Sequence, residues 1–403
     1  MSNIDAGNQV SEHDLSLIEE EERAEKRRRW LLLLLLLLLT LLACVLLLFI
    51  RYLRQPEPLP EMIPLPVDVN YPPHYLFSIY GVDKPVGVAY SLRNDRIYVA
   101  ETGGKRLVKI FDRDGNPLGS FAPPRTMPGE RSPVYLAVDG AGRVFVTDRL
   151  QHAIFVYDEN GTFLDTILGP DLTLSEYVLK HVNNLRPDAT FAYNQFEHVV
   201  YYKSPGEPER TLPTPEPAMW APLGIRFDRT GRLLFTDVRQ ERNAVYLISA
   251  DAFSPSSWRN FDPPVISFGS TGQGDGQFLF PNSAVADSQG RIYVTDGNNG
   301  RISVWDEKGQ FLFHFGGGSG EGALSLPRGA AIDERDRLYV VDAVGQNVKV
   351  YDVSGPEPDF LFAFGDWGMG DGQFNYPNDI ALDRYGRLYI ADRENNRIQV
   401  WSY

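Results

Sequence analysis

Two hydrophobic patterns divide the chain. Residues 30–50 form one apolar stretch of 21 residues, 14 of them leucine, with no charged side chain. From residue 74 onward, short runs alternate apolar and polar residues, as in RIYVT at residues 291–295, and turns rich in Gly and Asp separate the runs. The long apolar stretch predicts a membrane-spanning helix. Alternation with a period of two predicts β-strands that bury one face.

The strand region repeats one spacing, Pro-x5-Asp-x8-Asp. It occurs five times, at Pro133/Asp139/Asp148, Pro222/Asp228/Asp237, Pro281/Asp287/Asp296, Pro327/Asp333/Asp342 and Pro377/Asp383/Asp392. A variant unit starts at Pro85, with Ser91 for the first Asp and Glu101 one position late for the second. We expect the first Asp to bond its own turn, and the second to cap the loop after the second strand.

A complete unit holds four strand patterns in 46–59 residues. Repeats of this kind are typical of propeller blades. Units such as FPNSAVADSQGRIYVTDGNNGRISVWDEKGQFLFHFG resemble NHL repeats, which build six-bladed β-propellers. The resemblance covers nearly all of residues 74–403, except that the first unit is a variant and residues 169–219 carry no repeat. It implies an all-β, six-bladed NHL-type propeller.

The interval from Pro133 to Pro222 is 89 residues, close to twice the usual step. A capping box, Thr173 with Glu176, predicts a short helix over residues 174–182. Two alternating runs, 190–194 and 198–203, predict a hairpin. We therefore favour six blades with a helix–hairpin insert over about 169–219, and a degenerate seventh blade is the alternative. The insert is expected on the face that carries the loops after the second strands, here called the top face.

The last unit shows only three strand patterns. The sequence YLFSI at residues 75–79 is similar to the outer strands FLFHF at 311–315 and FLFAF at 360–364. We expect residues 75–79 to pair beside the last unit as its fourth strand, which would close the ring and remove its open edges.

The charges around the apolar stretch predict its orientation. Four bases at residues 26–29 precede it, and Arg51 and Arg54 follow it. This bias predicts a single-pass signal anchor in the cell membrane, with its N-terminus in the cytoplasm and the propeller outside. A lipoprotein signal at LLAC, residues 41–44, is the alternative, although six apolar residues follow Cys44. The predicted parts are a cytoplasmic tail (1–29), a transmembrane helix (30–50), a proline-rich spacer (51–73) and the propeller (74–403).

Composition narrows the choice of partners. Cys44 is the one cysteine, so the propeller contains no disulfide. The net charge is −14, and an acidic protein does not attract nucleic acid electrostatically. We therefore predict no nucleic-acid partner.

In propellers the starts of the inner strands line the mouth of the central channel. The residues that follow the motif prolines are, in order, Val86, Val134, Leu223, Asn282, Arg328 and Asn378. The loops after the second strands add Glu101, Arg149, His152, Arg239, Asn298, Asn299, Arg393, Asn395 and Asn396. The candidate ligand-binding residues are Arg149, His152, Arg239, Asn282, Arg328, Asn378 and Arg393.

A mouth that is half apolar and half amide or guanidinium suits a peptide or a glycan. The sequence therefore favours a binding or scaffold module for a protein, peptide or glycan, with no catalytic residue, metal or cofactor assigned. The alternative is an enzyme of the six-bladed class. A calcium-dependent hydrolase similar to gluconolactonase or paraoxonase would use Glu101, Asn282 and Asn378. A zinc lyase is disfavoured because three histidines at corresponding blade positions are absent.

Overall fold

The computed structural model of the chain describes residues 12–54, 72–170, 172–215, 220–239, 242–249 and 265–402. The chain forms two compact units, Met1–Glu57 and Pro58–Tyr403. Most of the predicted proline-rich spacer, residues 55–71, lies outside the described residues, as do residues 216–219 at the end of the insert.

The first unit contains one helix, Glu12–Arg54. No Gly or Pro interrupts this sequence. The helix ends at Arg54, and the next residues in the sequence are Gln55 and Pro56. A proline disfavours helical backbone in the residue that precedes it. Its segment Glu25–Arg51 is long and apolar enough to cross a membrane. The predicted span, 30–50, lies within this segment.

The second unit is a ring of blades. Across its described residues the strands form six antiparallel blade sheets, and each inner strand contacts the inner strands of both neighbouring blades. The strands, from inner to outer, are Pro85–Tyr90, Ile97–Glu101, Val108–Phe111 and Pro117–Phe121 in blade 1; Pro133–Val138, Val144–Asp148, Ala153–Tyr157 and Phe163–Gly169 in blade 2; Pro222–Phe227, Leu233–Arg239, Arg242–Ile248 and Val265–Phe268 in blade 3; Pro281–Ala286, Ile292–Asp296, Arg301–Trp305 and Phe311–Phe315 in blade 4; Pro327–Ile332, Arg337–Asp342, Asn347–Asp352 and Asp359–Phe364 in blade 5; and Pro377–Leu382, Arg387–Asp392, Arg397–Ser402 and Tyr75–Ile79 in blade 6.

Blade 6 closes the ring with strands from both ends of the propeller sequence. Tyr75–Ile79 pairs antiparallel with Arg397–Ser402, and Ile79 lies opposite Ile398. Beyond the ladder, Ser402 N donates to the carbonyl of His74 at 2.9 Å. The predicted closure by residues 75–79 is confirmed.

The insert is a small subdomain and not a seventh blade. Its helix is Leu174–His181, one residue shorter than expected. Its sheet has three strands, Thr190–Asn194, Val199–Lys203 and Arg210–Pro213, so the predicted hairpin was incomplete. The third strand was missed because RTLP has almost no apolar alternation.

The insert packs on the outer part of blade 2. Val178, Tyr193 and Val200 share one buried cluster with Phe155 and Leu168 of that blade. The helix start is only half a capping box: Thr173 Oγ1 accepts from Glu176 N at 3.3 Å, while the Glu176 carboxylate pairs with a lysine one turn later.

The repeated Asp residues have structural roles. The first Asp of each regular unit folds its own turn: Asp139 Oδ1 accepts from Ala141 N and Arg143 N at 2.9 and 2.8 Å. The second Asp does more than expected, because Asp148 bonds both the following loop, at Gln151 N, and the preceding loop, at Ser132 N. It thereby ties together two loops of the top face.

Candidate functional site

The six positions after the motif prolines meet at the top end of the central channel. With the adjoining loops they surround a cavity of about 290 Å³. Its lining residues are Val86, Thr102, Ser132, Val134, Tyr135, Arg149, Leu223, Phe280, Asn282, Arg328, Tyr376, Asn378 and Arg393. We call this cavity the mouth pocket.

A strand irregularity turns these residues toward the channel. In blade 2 the ladder pairs Pro133 with Asp148, then shifts and resumes at Leu136 with Val146. The two residues between are released from regular pairing, and Thr147 Oγ1 accepts from Tyr135 N at 3.1 Å instead. Bulges of this kind redirect side chains at the rims of closed sheets. The inner strands of the other five blades have a comparable register shift.

The pocket has two chemically different sides. Blades 1 to 3 contribute Val86, Val134 and Leu223, whereas blades 4 to 6 contribute Asn282, Arg328 and Asn378. The sequence therefore predicted that the six residues after the motif prolines meet at the mouth, and that the first three are apolar and the last three polar.

The two asparagines are buried and bond their neighbours. Asn282 Nδ2 donates to the carbonyl of Phe280 at 3.0 Å, and its Oδ1 accepts from Arg328 Nη1 at 2.8 Å. Asn378 Nδ2 donates to the carbonyl of Val86 at 2.8 Å and to the hydroxyl of Tyr135 at 3.0 Å. These bonds join blade 4 to blade 5 and blade 6 to blades 1 and 2, and the bond to Asn282 holds the side chain of Arg328.

Arginines and aromatic rings alternate along the polar side. The Arg149 guanidinium lies 5.5 Å from the centre of the Phe280 ring, and that of Arg328 lies 5.7 Å from it. Arg328 and Arg393 lie over the Tyr376 ring at 6.0 and 5.5 Å. We call these five residues the arginine arc. Contacts of this geometry are cation–π interactions, which hold each guanidinium in place.

Phe280 and Tyr376 were not predicted as site residues. Each directly precedes a motif proline, and each has a left-handed backbone, with φ of +62° and +56°. This conformation is uncommon for bulky residues. An aromatic residue just before the proline was the sequence signal that would have identified them.

Two of the seven candidate ligand-binding residues, His152 and Arg239, do not line the pocket, and of the other predicted second-strand loop residues only Arg149 and Arg393 do. Among the described residues, His152 hydrogen-bonds the backbone at Trp220, and its pKa lies below the ordinary value because of desolvation and the positive charge of Arg149. Arg239 closes the hairpin between the second and third strands of blade 3, opposite Arg242. A position in a top-face loop was therefore not sufficient to place a side chain in the mouth.

Two of the three side chains proposed for calcium in the enzyme alternative have oxygens that are bonded to other groups. Glu101 Oε2 pairs with Lys109 Nζ at 2.9 Å, and Asn282 Oδ1 accepts from Arg328. Within the described part of the chain, no group of three or more His, Cys, Asp or Glu side chains is arranged to hold a metal ion.

A charged pair forms the floor of the channel. Arg226 occupies the lower channel, where the matching residues of the other blades are Ala or Val. Its guanidinium pairs with Asp379 and also donates to backbone carbonyls, including that of Ile380 at 3.2 Å. Burial raises the pKa of Asp379 above its ordinary value. A buried ion pair therefore joins the inner strands of blades 3 and 6 within the channel.

The fold and its channel mouth define the class of this protein, a six-bladed β-propeller. The sequence model of the NHL repeat matches residues 278–305 and 374–401, which lie in blades 4 and 6. The chain is thus a β-propeller that carries NHL repeats.

Two animal proteins resemble part of the chain. Protein lin-41 of Caenorhabditis elegans is 36% identical over 59 residues, which are 13% of this chain and 5% of that protein. Protein brain tumor of Drosophila melanogaster is 36% identical over 72 residues, or 17% of this chain and 7% of that protein. The match therefore spans a small part of these relatives.

Solved structures share the architecture over most of the chain. A streptogramin B lyase superposes with a TM-score of 0.50 at 14% identity, over 82% of this chain and 98% of that chain. A protein of unknown function from Bacteroides thetaiotaomicron superposes with a TM-score of 0.52 at 14% identity, over 83% of this chain and 72% of that chain. At this level of identity the similarity concerns the fold alone.

Proposed function

We propose that the chain is a membrane-tethered binding module whose mouth pocket receives a protein, peptide or glycan. The observation that supports this most directly is the chemistry of the pocket, with an apolar wall from blades 1 to 3 and guanidinium groups from Arg149 of blade 2, Arg328 of blade 5 and Arg393 of blade 6. A concave site with an apolar wall and a few positioned polar groups is the usual form of a binding site.

The N-terminal helix supports the tether. Four bases, at residues 26–29, lie at the start of its apolar segment Glu25–Arg51, and two bases, Arg51 and Arg54, lie at or after its end. This asymmetry favours a cytoplasmic N-terminus. We infer that the propeller and its partner lie on the outer side of the membrane.

We propose that the insert adds to the top face, and its described residues do not line the mouth pocket. Among the described residues its contacts are to blade 2 and to neighbouring loops, as in the bond from Gln195 N to Gln151 Oε1 at 2.8 Å. We propose that a partner larger than the pocket also contacts this subdomain.

A steric block in the full-length protein tests the binding role. Thr102→Trp places a bulky neutral ring at the pocket, and Leu92→Trp is the matched control at the opposite end of the channel. A membrane-impermeant cross-linker is added to intact cells, and captured partners are identified by mass spectrometry. We expect wild type and Leu92→Trp to capture the same partner in equal amounts. Thr102→Trp should capture at least 80% less of it. This roughly fivefold loss is larger than the about twofold change that a substitution distant from the site produces.

Two results would contradict the proposal. Equal capture by Thr102→Trp and wild type would show that the partner does not use the mouth pocket. Capture that requires permeabilised cells would show that the topology is reversed.

A further inference from the structure

We propose that the mouth pocket recognises a peptide carboxylate, held by the arginine arc, with an apolar side chain against Val86, Val134 and Leu223. This inference rests on the proposed binding function and names the chemistry of the ligand. It predicts that a peptide C-terminus whose last side chain is apolar is the favoured occupant.

The mouth pocket is positively charged. Three guanidinium groups, those of Arg149, Arg328 and Arg393, line one cavity, and no acidic residue is among its described lining residues. Outside the lining, Glu394 pairs with Arg393 at 3.1 Å and also faces Lys84 at 3.7 Å. Like charges in a partly desolvated site repel, and an anion placed among them relieves that repulsion.

The arginines of the arc retain hydrogen-bond donors that have no partner among the described residues. The Nε atoms of Arg328 and Arg393 are buried and have no partner among the described residues. The guanidinium of Arg149, at the exposed rim, likewise makes no hydrogen bond or ion pair within the described part of the chain. The two Nε atoms are enclosed by the protein, whereas the exposed guanidinium of Arg149 is open to an acceptor from outside the chain.

Contacts within the protein hold the Arg328 guanidinium in one position without a ligand. Arg328 is held by Asn282 Oδ1 at 2.8 Å and by the Tyr376 hydroxyl at 3.1 Å, and two rings flank it. A guanidinium fixed in this way loses little freedom when it binds a planar carboxylate through two parallel bonds. This arrangement suits a carboxylate better than a neutral amide, because hydrogen bonds to a charged acceptor are stronger.

The aromatic rings argue against a glycan. Sugars stack on open ring faces, but Phe280 and Tyr376 each already have two guanidinium groups over them. The cavity of about 290 Å³ also lies at the small end of the roughly 300–1,000 Å³ usual for ligand sites. It fits one terminal residue and its carboxylate, and the net charge of −14 disfavours a polyanion.

Small probes test this chemistry on the full-length protein in detergent micelles. We would measure the affinity of N-acetyl-leucine, N-acetyl-leucinamide, the α-amide of N-acetyl-glutamate, and glucuronate by calorimetry. N-acetyl-leucine should bind at least about tenfold more tightly than its amide, which corresponds to about 1.4 kcal/mol. Arg328→Gln and Arg149→Gln should each weaken its binding at least about tenfold, within the range for charge-assisted bonds.

Arg384→Gln is the matched control, because Arg384 is exposed in a turn of blade 6 away from the pocket and pairs with Asp95. It should leave affinity within about twofold of wild type. Because Arg149 lies at the rim, its substitution preserves the fold even if Arg328→Gln does not. Tighter binding of the glutamate α-amide than of N-acetyl-leucine would contradict the proposed peptide C-terminus, because the carboxylate of that probe belongs to a side chain.

Three further results would overturn the inference: equal affinity for acid and amide, equal losses in Arg384→Gln and Arg328→Gln, or preference for glucuronate. If any of these results occurs while Thr102→Trp still abolishes partner capture, the proposed carboxylate recognition is wrong and the proposed binding function is retained. If Thr102→Trp leaves capture intact, the function itself falls.

Discussion

At the scale of single residues, the ion pair of Arg226 and Asp379 has the largest expected effect on stability. The Asp379 side chain is 0% exposed and that of Arg226 is 13% exposed, and the two come from opposite blades of the ring. Asp379 Oδ2 also accepts from Val88 N at 3.0 Å, so the carboxylate joins three blades. A buried charge that loses its partner destabilises a fold far more than an exposed one.

Asp379→Asn should therefore destabilise the propeller. The substitution keeps the volume but leaves the Arg226 charge buried without a counter-ion, which lowers the free energy of unfolding by about 3 kcal/mol. Urea unfolding of the full-length protein, followed by tryptophan fluorescence, measures the change.

The control is Asp188→Asn at the exposed Arg186–Asp188 pair, whose side chains are 56% and 54% exposed. Exposed pairs contribute about 0–1 kcal/mol, so this variant should unfold nearly as wild type does. Similar losses in both variants would show that the channel pair is not a special source of stability.

At the scale of elements, the inner strands pack unusually closely because alternate blades place glycine two residues after the motif proline. These residues are Gly87, Gly224 and Gly329, in blades 1, 3 and 5. A Cβ at Gly224 would lie 1.9 Å from the Asn282 carbonyl oxygen, and one at Gly87 would lie 2.3 Å from that of Val134. Both obstructing atoms are backbone, so a side chain cannot be accommodated by a rotamer change.

Gly224→Ala should lower the free energy of unfolding by about 2–3 kcal/mol, because it forces two inner strands apart at the channel. Gly119→Ala is the matched control: Gly119 lies in the outer strand of blade 1, and a Cβ there meets nothing within 4 Å. The control should be neutral or slightly stabilising, since alanine reduces the freedom of the unfolded chain. Equal melting of the two variants in a thermal scan would refute the close-packing explanation.

At the scale of the whole molecule, the ring depends on one strand that is distant in sequence. Tyr75–Ile79 completes blade 6, and its Ile79 joins the buried cluster between blades 6 and 1. Without this strand, Arg397–Ser402 becomes an exposed edge, which is a site for aggregation.

Deletion of residues 74–80 should therefore destabilise the entire propeller. We expect a loss of at least about 3 kcal/mol, since two or more apolar side chains leave the core at about 1.5–3 kcal/mol each. Thermal unfolding and light scattering measure the loss and the resulting aggregation, and deletion of residues 2–8 is the length-matched control. A truncated protein that melts like the intact one would show that the closing strand is dispensable.

The sequence by itself determined the repeating parts of this protein. Pro133, Asp139 and Asp148, with their equivalents, located the blades because Asp139 bonds its own turn and Asp148 bonds the two loops that flank the strands of its own blade. The same spacing predicted that Leu223 and Arg328 face one mouth, and the likeness of YLFSI to other outer strands predicted the ring closure. Local hydrogen bonding and strand periodicity have a short range, so they are readable along the chain.

Only the tertiary structure decided which side chains meet across the ring. Arg149 reaches Phe280 across a separation of 131 residues, and Arg226 reaches Asp379 across 153. It also decided that His152 turns toward Trp220 and that the insert packs beside blade 2 without lining the pocket. Contacts of this kind depend on the closure of the whole ring and on the space each side chain finds in it, and no local pattern encodes either.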